Sequence, residues 1–254
     1  MAFFVDKNSI VRKIWGNGDT ILFIFAGASA EFALNKAVDW LYFTGKLPSD
    51  PLGRLFSTVA YARQIVFSDH QDAMNAIDKI TAIHKGVEQN RGSSIPDWAY
   101  RDVLFMLIDY SIRSFEVLEH KMTEQEKSEV YEVFNQVGQR MGISGLPKNF
   151  KEWQTMRDEH LEKDLRFSNF TKDLYKQYRK HLGLTRYTIL KQAQLLVVPK
   201  KVNRLLTLGQ IRVLKPVIEV YKLTRYFKVD KLLKNLVMPR KYKTEITNLD
   251  VMPH

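Results

Sequence analysis

From residue 70 onward the chain places an apolar side chain every three or four positions: Ala73, Ala76, Ile77, Ile80, Ile83 and Val87. That recurrence is one face of an α-helix, and His84 falls on it, between Ile80 and Val87. Ser68 and Asp69 offer caps for its start. The same period predicts helices over about 19–43, capped by Asp19 or Thr20, and over 53–67 and 97–120, the last centred on the apolar run 103–108. Thr123 and Glu126 form a capping box ahead of the stripe Val130, Val133, Phe134, Val137 and Met141, and Asn149 with Glu152 repeats that kind of start. Further helical stretches are expected at 169–182, 185–198, 201–208 and 211–228, punctuated by Pro199, Gly209 and Pro216. Breaks rich in Pro, Gly and Ser fall at 47–53, 90–96 and 142–147. No stretch alternates with the period of a strand, and no repeat or linker divides the chain. The pattern predicts an all-α fold, a single multi-helix domain over 1–254, with a loose tail at 246–254.

Composition narrows the chemistry. With 254 residues, 45% hydrophobic and 12% aromatic, the chain can bury a sizeable core. It has no cysteine, which excludes disulfides, thiolate metal sites, thiol nucleophiles and covalent c-type haem attachment, and which suits a reducing compartment. The run 21–30 is the most apolar, but a spanning helix needs about 20 such residues, so it reads as a buried core helix. The N-terminus is mixed and carries no targeting pattern. The expected location is the cytoplasm, either free or resting on a membrane.

The net charge of +11 is lopsided: residues 1–170 carry 20 Lys and Arg against 23 Asp and Glu, and residues 171–254 carry 19 against 5. A basic C-terminal helical part, 171–245, is therefore a candidate contact for anionic membrane. The alternative is a solvated basic face. Its basic residues sit among Leu and Val, not in a nucleic-acid reading motif, which speaks against nucleic acid as a partner.

Hydrolase and nucleotide motifs are absent: there is no GxSxG, P-loop, GxGxxG or HExxH. None of the six histidines follows a glutamate at the three-residue spacing of di-iron bundles. His84 on its apolar face is either a hydrogen-bonded core residue or, as a neutral imidazole in an apolar pocket, an axial ligand for haem iron. Asp109 stands inside an apolar run and requires a partner if buried. Of the aromatic residues, Trp15, Trp40, Tyr42, Phe43, Phe56, Tyr61, Phe67, Trp98 and Phe105 serve core packing or line a pocket.

The segments DPLGRLFSTVAYARQIVF (50–67) and HQDAMNAIDKITAIHKGV (70–87) resemble the rubber-oxygenase and MpaB-type oxygenase family. The shared signature falls on Asp50, Pro51, Arg54, Leu55, Thr58, Phe67, Ala73, His84 and Val87, and IDYSIRSFE (108–116) and LLVVPKKVNRLL (195–206) look like later family segments. Members are all-α, and the characterised rubber oxygenases bind b-type haem. The resemblance implies an apolar haem pocket, haem b held non-covalently, His84 as the metal ligand, and Arg54 and Thr58 beside the haem as binding and catalytic residues. Arg54 and Thr58 are four apart and share a helix face. On their own, Arg54 also reads as a helix N-terminal ion pair with Asp50, and Thr58 as a hydroxyl bonded to its own helix. A lysine that can cap the iron in rubber oxygenases is replaced by Ser57, which cannot do so. Glu31 is nearest in order to the acidic base of those enzymes, without a motif to carry the role.

The expected function is thus a haem b-dependent oxygenase or peroxygenase-like oxidoreductase, using dioxygen or peroxide on a hydrophobic small molecule. The alternatives are a haem protein without turnover and a cofactor-free basic helical module on a membrane surface.

Overall fold

The computed structural model describes residues 2–45 and 49–226. Among these the chain is 75% helical with 11 helices and no strands, as the periodicity predicts. The calls on 46–48, on the end of the 211–228 helix and on the tail 246–254 lie outside the described residues.

The central element is α2 (Gly18–Phe32), the helix that holds the apolar run 21–30. It is buried on nearly every side, and this explains why its sequence lacks a polar face. Among the described residues no helix is long and apolar enough to cross a membrane. The cap of α2 is Asn17, whose side chain accepts from the backbone of Asp19 and Thr20. The expectation of Asp19 or Thr20 thus misses by two or three residues. A short preceding helix, α1 (Ile10–Trp15), was not foreseen, and it buries Trp15 with its indole N–H donating to Ser111.

The expected single helix 19–43 is interrupted. After α2 the chain turns through residues 33–37 and resumes as α3 (Val38–Phe43). No Gly or Pro marks this break. Tertiary contacts make it: Lys36 donates its backbone N–H to Asp164, and Arg166 donates to Leu34. The side chain of Asn35 accepts from Ala37 and donates to Asp102. The carbonyls left over at the end of α2 are buried and need donors. The long helix α9 (Asn169–Val197) meets this end: Thr171 donates to the carbonyl of Ala33 at 2.6 Å, and Tyr178 adds a second donor to that of Ser29, which also accepts from the Ala33 N–H. The stretches expected at 169–182 and 185–198 are its two halves, bent at Gly183, whose φ of 71° and ψ of 171° only glycine adopts readily.

Between these come α4 (Pro51–Phe67), α5 (His70–Arg91), α6 (Asp97–Leu118), α7 (Glu124–Arg140) and α8 (Phe150–Lys163). Asp69, the Thr123–Glu126 box and Asn149 cap their helices as the sequence signals predict, whereas α4 starts at Pro51, inside the expected break 47–53, and is capped by Asp50. Two helices close the described chain, α10 (Lys200–Leu206) and α11 (Leu214–Tyr226). Pro216 lies in the first turn of α11, where a missing N–H breaks no helix bond.

The closest helix crossing is α2 on α6. A Cβ built on Gly27 would lie 2.2 Å from the Tyr110 ring, so only a hydrogen fits there. Gly27→Ala is expected to lower stability by about 1–3 kcal/mol through overpacking, read as a fall in the thermal midpoint with the helical signal retained.

Candidate functional site

Helices α4 and α5 run antiparallel, joined by the short turn at Ser68 and Asp69. At the closed end Ile65 packs on Ala73, Ala76 and Ile77, all of them buried. On α4 the positions Ile65, Tyr61, Thr58 and Arg54 recur at helical spacing, and on α5 so do Ile77, Ile80, His84 and Val87. The two stripes face each other. Burial falls along them, from fully buried at Ile65 and Ile77 to half-buried at Arg54, Thr58, Ile80, His84 and Val87. The hairpin is therefore packed least tightly at the end that holds the three residues singled out from sequence, where Arg54 lies near enough to His84 to act on its charge.

His84 is held from two sides. Its Nδ1 lies 2.9 Å from the carbonyl oxygen of Ile80. A carbonyl can only accept, so Nδ1 carries the proton and Nε2 is the nitrogen with a free lone pair. Tyr100 of α6 sets its ring edge-on at 5.3 Å and donates its hydroxyl to Glu88, one turn further along α5. The His84 pKa is lowered, first by burial and also by the positive charge of Arg54, against the bond to Ile80 and the charge of Glu88. The ring is neutral at pH 7, as a metal ligand must be. Tyr100 and Glu88 were missed in the sequence, where their only signal is a Tyr just inside the start of α6.

The Arg54 guanidinium donates to the hydroxyls of Thr58, at 3.1 Å, and Ser57. Among the described residues no carboxylate forms an ion pair with it. Asp50 instead caps the helix through Gly53, so the expected ion-pair alternative is not what the structure contains. Thr58 also donates back to the Arg54 carbonyl, the local bond that its residue type favours. Burial lowers the Arg54 pKa. Among the described residues this half-buried cation has no counter-ion, and it lies near enough to the neutral His84 ring to help lower its pKa.

Glu31 takes no part in this end of the hairpin. It is fully buried and belongs to a separate ionic centre. Arg157 of α8 donates to both Glu31 oxygens and also to Asp109 of α6. Tyr110 donates to Glu31 at 2.8 Å, and Arg113 holds the other Asp109 oxygen at 2.6 Å. The expected partner of Asp109 is thus a buried arginine. Burial would raise the Glu31 pKa, but Arg157 and then His160 outweigh it and bring it to about 2.

His160 joins the same centre, with Nε2 at 3.1 Å from Glu31 and Nδ1 at 2.6 Å from Asp102. Burial alone would lower its pKa, but these carboxylates raise it to about 9. Asp102, His160 and Asp164 come close enough to share a metal ion, a convergence that the scattered histidines in the sequence did not disclose. With both ring nitrogens directed at carboxylates, His160 also ties α2, α6 and α8 together as an ionic link.

The family described as "ER-bound oxygenase mpaB/B'/Rubber oxygenase, catalytic domain" matches residues 13–224. No curated protein matches the chain.

Two outcomes follow from the ionic centre. Arg157→Met removes the cation shared by Glu31 and Asp109 and leaves Glu31 with His160 and Tyr110 and Asp109 with Arg113 alone; it is expected to cost about 3–5 kcal/mol, seen in denaturant unfolding. For His160 the folded pKa is raised, so its stabilising contribution is complete below about 6.5 and is lost as pH rises through about 9. The thermal midpoint should fall across that window, and His160→Gln should flatten the fall.

Proposed function

The chain belongs to the MpaB and rubber-oxygenase catalytic-domain family, and we propose that it is a haem b-dependent oxygenase with the less tightly packed end of the α4–α5 hairpin as its active site. The observation that carries this reading is the tethered, neutral His84 ring near Arg54, a cation with no carboxylate partner among the described residues. The donor set fits the group: one free imidazole nitrogen for iron, one cation for anionic character, and apolar Ile80 and Val87 beside them.

When bound, the haem iron supplies the chemistry of dioxygen or peroxide activation. The protein's share is positioning. The Ile80 carbonyl fixes the His84 tautomer and ring plane and raises the basicity of Nε2. Arg54 brings a fixed positive charge and spare donors to the site, and Thr58 holds the guanidinium by accepting from it. Ser57 is exposed and donates to the Arg54 carbonyl, so this position offers the iron no amine. Ile80 and Val87 limit water and favour a hydrophobic small-molecule substrate.

A second observation supports a membrane surface as partner. On α11 Ile218 is buried, whereas Val217 and Val220, with Val213 just before the helix, recur at helical spacing and are 54%, 60% and 58% exposed. Arg212 and Lys215 are exposed among them, in a chain third with 19 basic against 5 acidic residues. A basic helix with an outward aliphatic stripe suits the surface of an anionic bilayer.

Protein produced with ample iron and haem precursor is expected to show a Soret band, lost or shifted in His84→Ala. A colourless wild type that gives no saturable band with added haem overturns the haem reading. Oxygen- or peroxide-dependent product formation separates an enzyme from a haem carrier. In co-sedimentation, vesicles with anionic phosphatidylserine should retain the protein in a salt-sensitive way, and Val217→Asp with Val220→Asp should release it; equal binding to neutral vesicles sinks the electrostatic part.

A further inference from the structure

Arg91 ends α5, seven residues after His84. Seven residues advance a helix by about 10.5 Å and return to nearly the same face, and side chains lean toward the helix N-terminus. Arg91 therefore sits on the face that bears His84 and leans back along it. Its guanidinium lies 3.9 Å over the Trp40 ring and 5.5 Å from that of Phe43, and Nη2 donates to Asp39 at 2.7 Å. These three residues of α3 hold the head in place. Nη1 is buried and has no hydrogen-bond partner.

A cation at a helix C-terminus interacts favourably with the dipole, and Asp39 satisfies Nη2. Neither accounts for Nη1, and a buried donor left unpaired is costly. One guanidinium can serve two carboxylates on different edges, as Arg157 does here with Glu31 and Asp109. We propose that Nη1 of Arg91 binds a carboxylate, and that this carboxylate is a propionate of the haem held by His84. The assignment rests on the haem reading above. Arg91 follows His84 by two helical turns on the same face, so its head would stand to one side of an iron held by His84, where the rim of the porphyrin would carry its propionates. Arg54 then keeps its spare donors for the site itself.

The test uses the full chain freed of haem and titrated with haem or with haem dimethyl ester, whose propionates can no longer act as anions, following the Soret band. Wild type should prefer haem. Arg91→Gln should weaken haem binding roughly 10-fold or more while leaving ester binding unchanged, so the preference shrinks. Arg91→Lys keeps the charge without the planar fork and should fall between, which serves if the Gln variant folds poorly. If both variants discriminate between the two haems as wild type does, the assignment is overturned, including the case in which the carboxylate belongs to a substrate. A wild type that takes up neither haem overturns the haem reading, and the Arg91 assignment with it, a result distinct from the first.

Discussion

The buried guanidinium of Arg157 is the constraint on which the rest of the arrangement depends. It meets Glu31 from α2 and Asp109 from α6, and its neighbour on α8, His160, reaches Glu31 and Asp102. A charge removed from water is tolerated only with geometry that satisfies it. Three helices are therefore fixed in register by the need to bring their carboxylates to one cation. The close crossing of α2 and α6 at Gly27 follows the same logic, because it is what allows the Tyr110 hydroxyl to reach Glu31.

This centre leaves the α4–α5 hairpin free to be asymmetric. One end is packed aliphatically through Ile65, Ala73 and Ile77. The other end carries polar and ionisable groups that the core does not use. Among the described residues Arg54 has no carboxylate partner, and His84 engages only Nδ1. The separation of a satisfied structural ion cluster from these groups is what directs the functional reading to the hairpin.

Local signals were legible where a single turn of chain contains both donor and acceptor. Asp69, Asn149 and the Thr123–Glu126 box cap helices through residues three apart, so they show in sequence. The His84 face was legible for the same reason, as was the helical pairing of Arg54 with Thr58. The break at 33–37 was not, because its cause lies at Asp102, Asp164 and Arg166. The partner of Asp109 could not be read either, since Arg157 is 48 residues away.

By itself the sequence determined the helical class, most helix boundaries, the absence of cysteine chemistry and the apolar face that carries a histidine. These depend on periodicity and on contacts within a turn or two, which the order of residues states directly. Only the tertiary structure decided that His160 is a charged member of the core, that Glu31 is committed to Arg157, that Tyr100 braces His84, and that the Arg91 head is held by Asp39, Trp40 and Phe43 with Nη1 buried and unpaired. Each of these depends on which distant side chain shares a low-dielectric space, and it is the packing of helices that brings those side chains together.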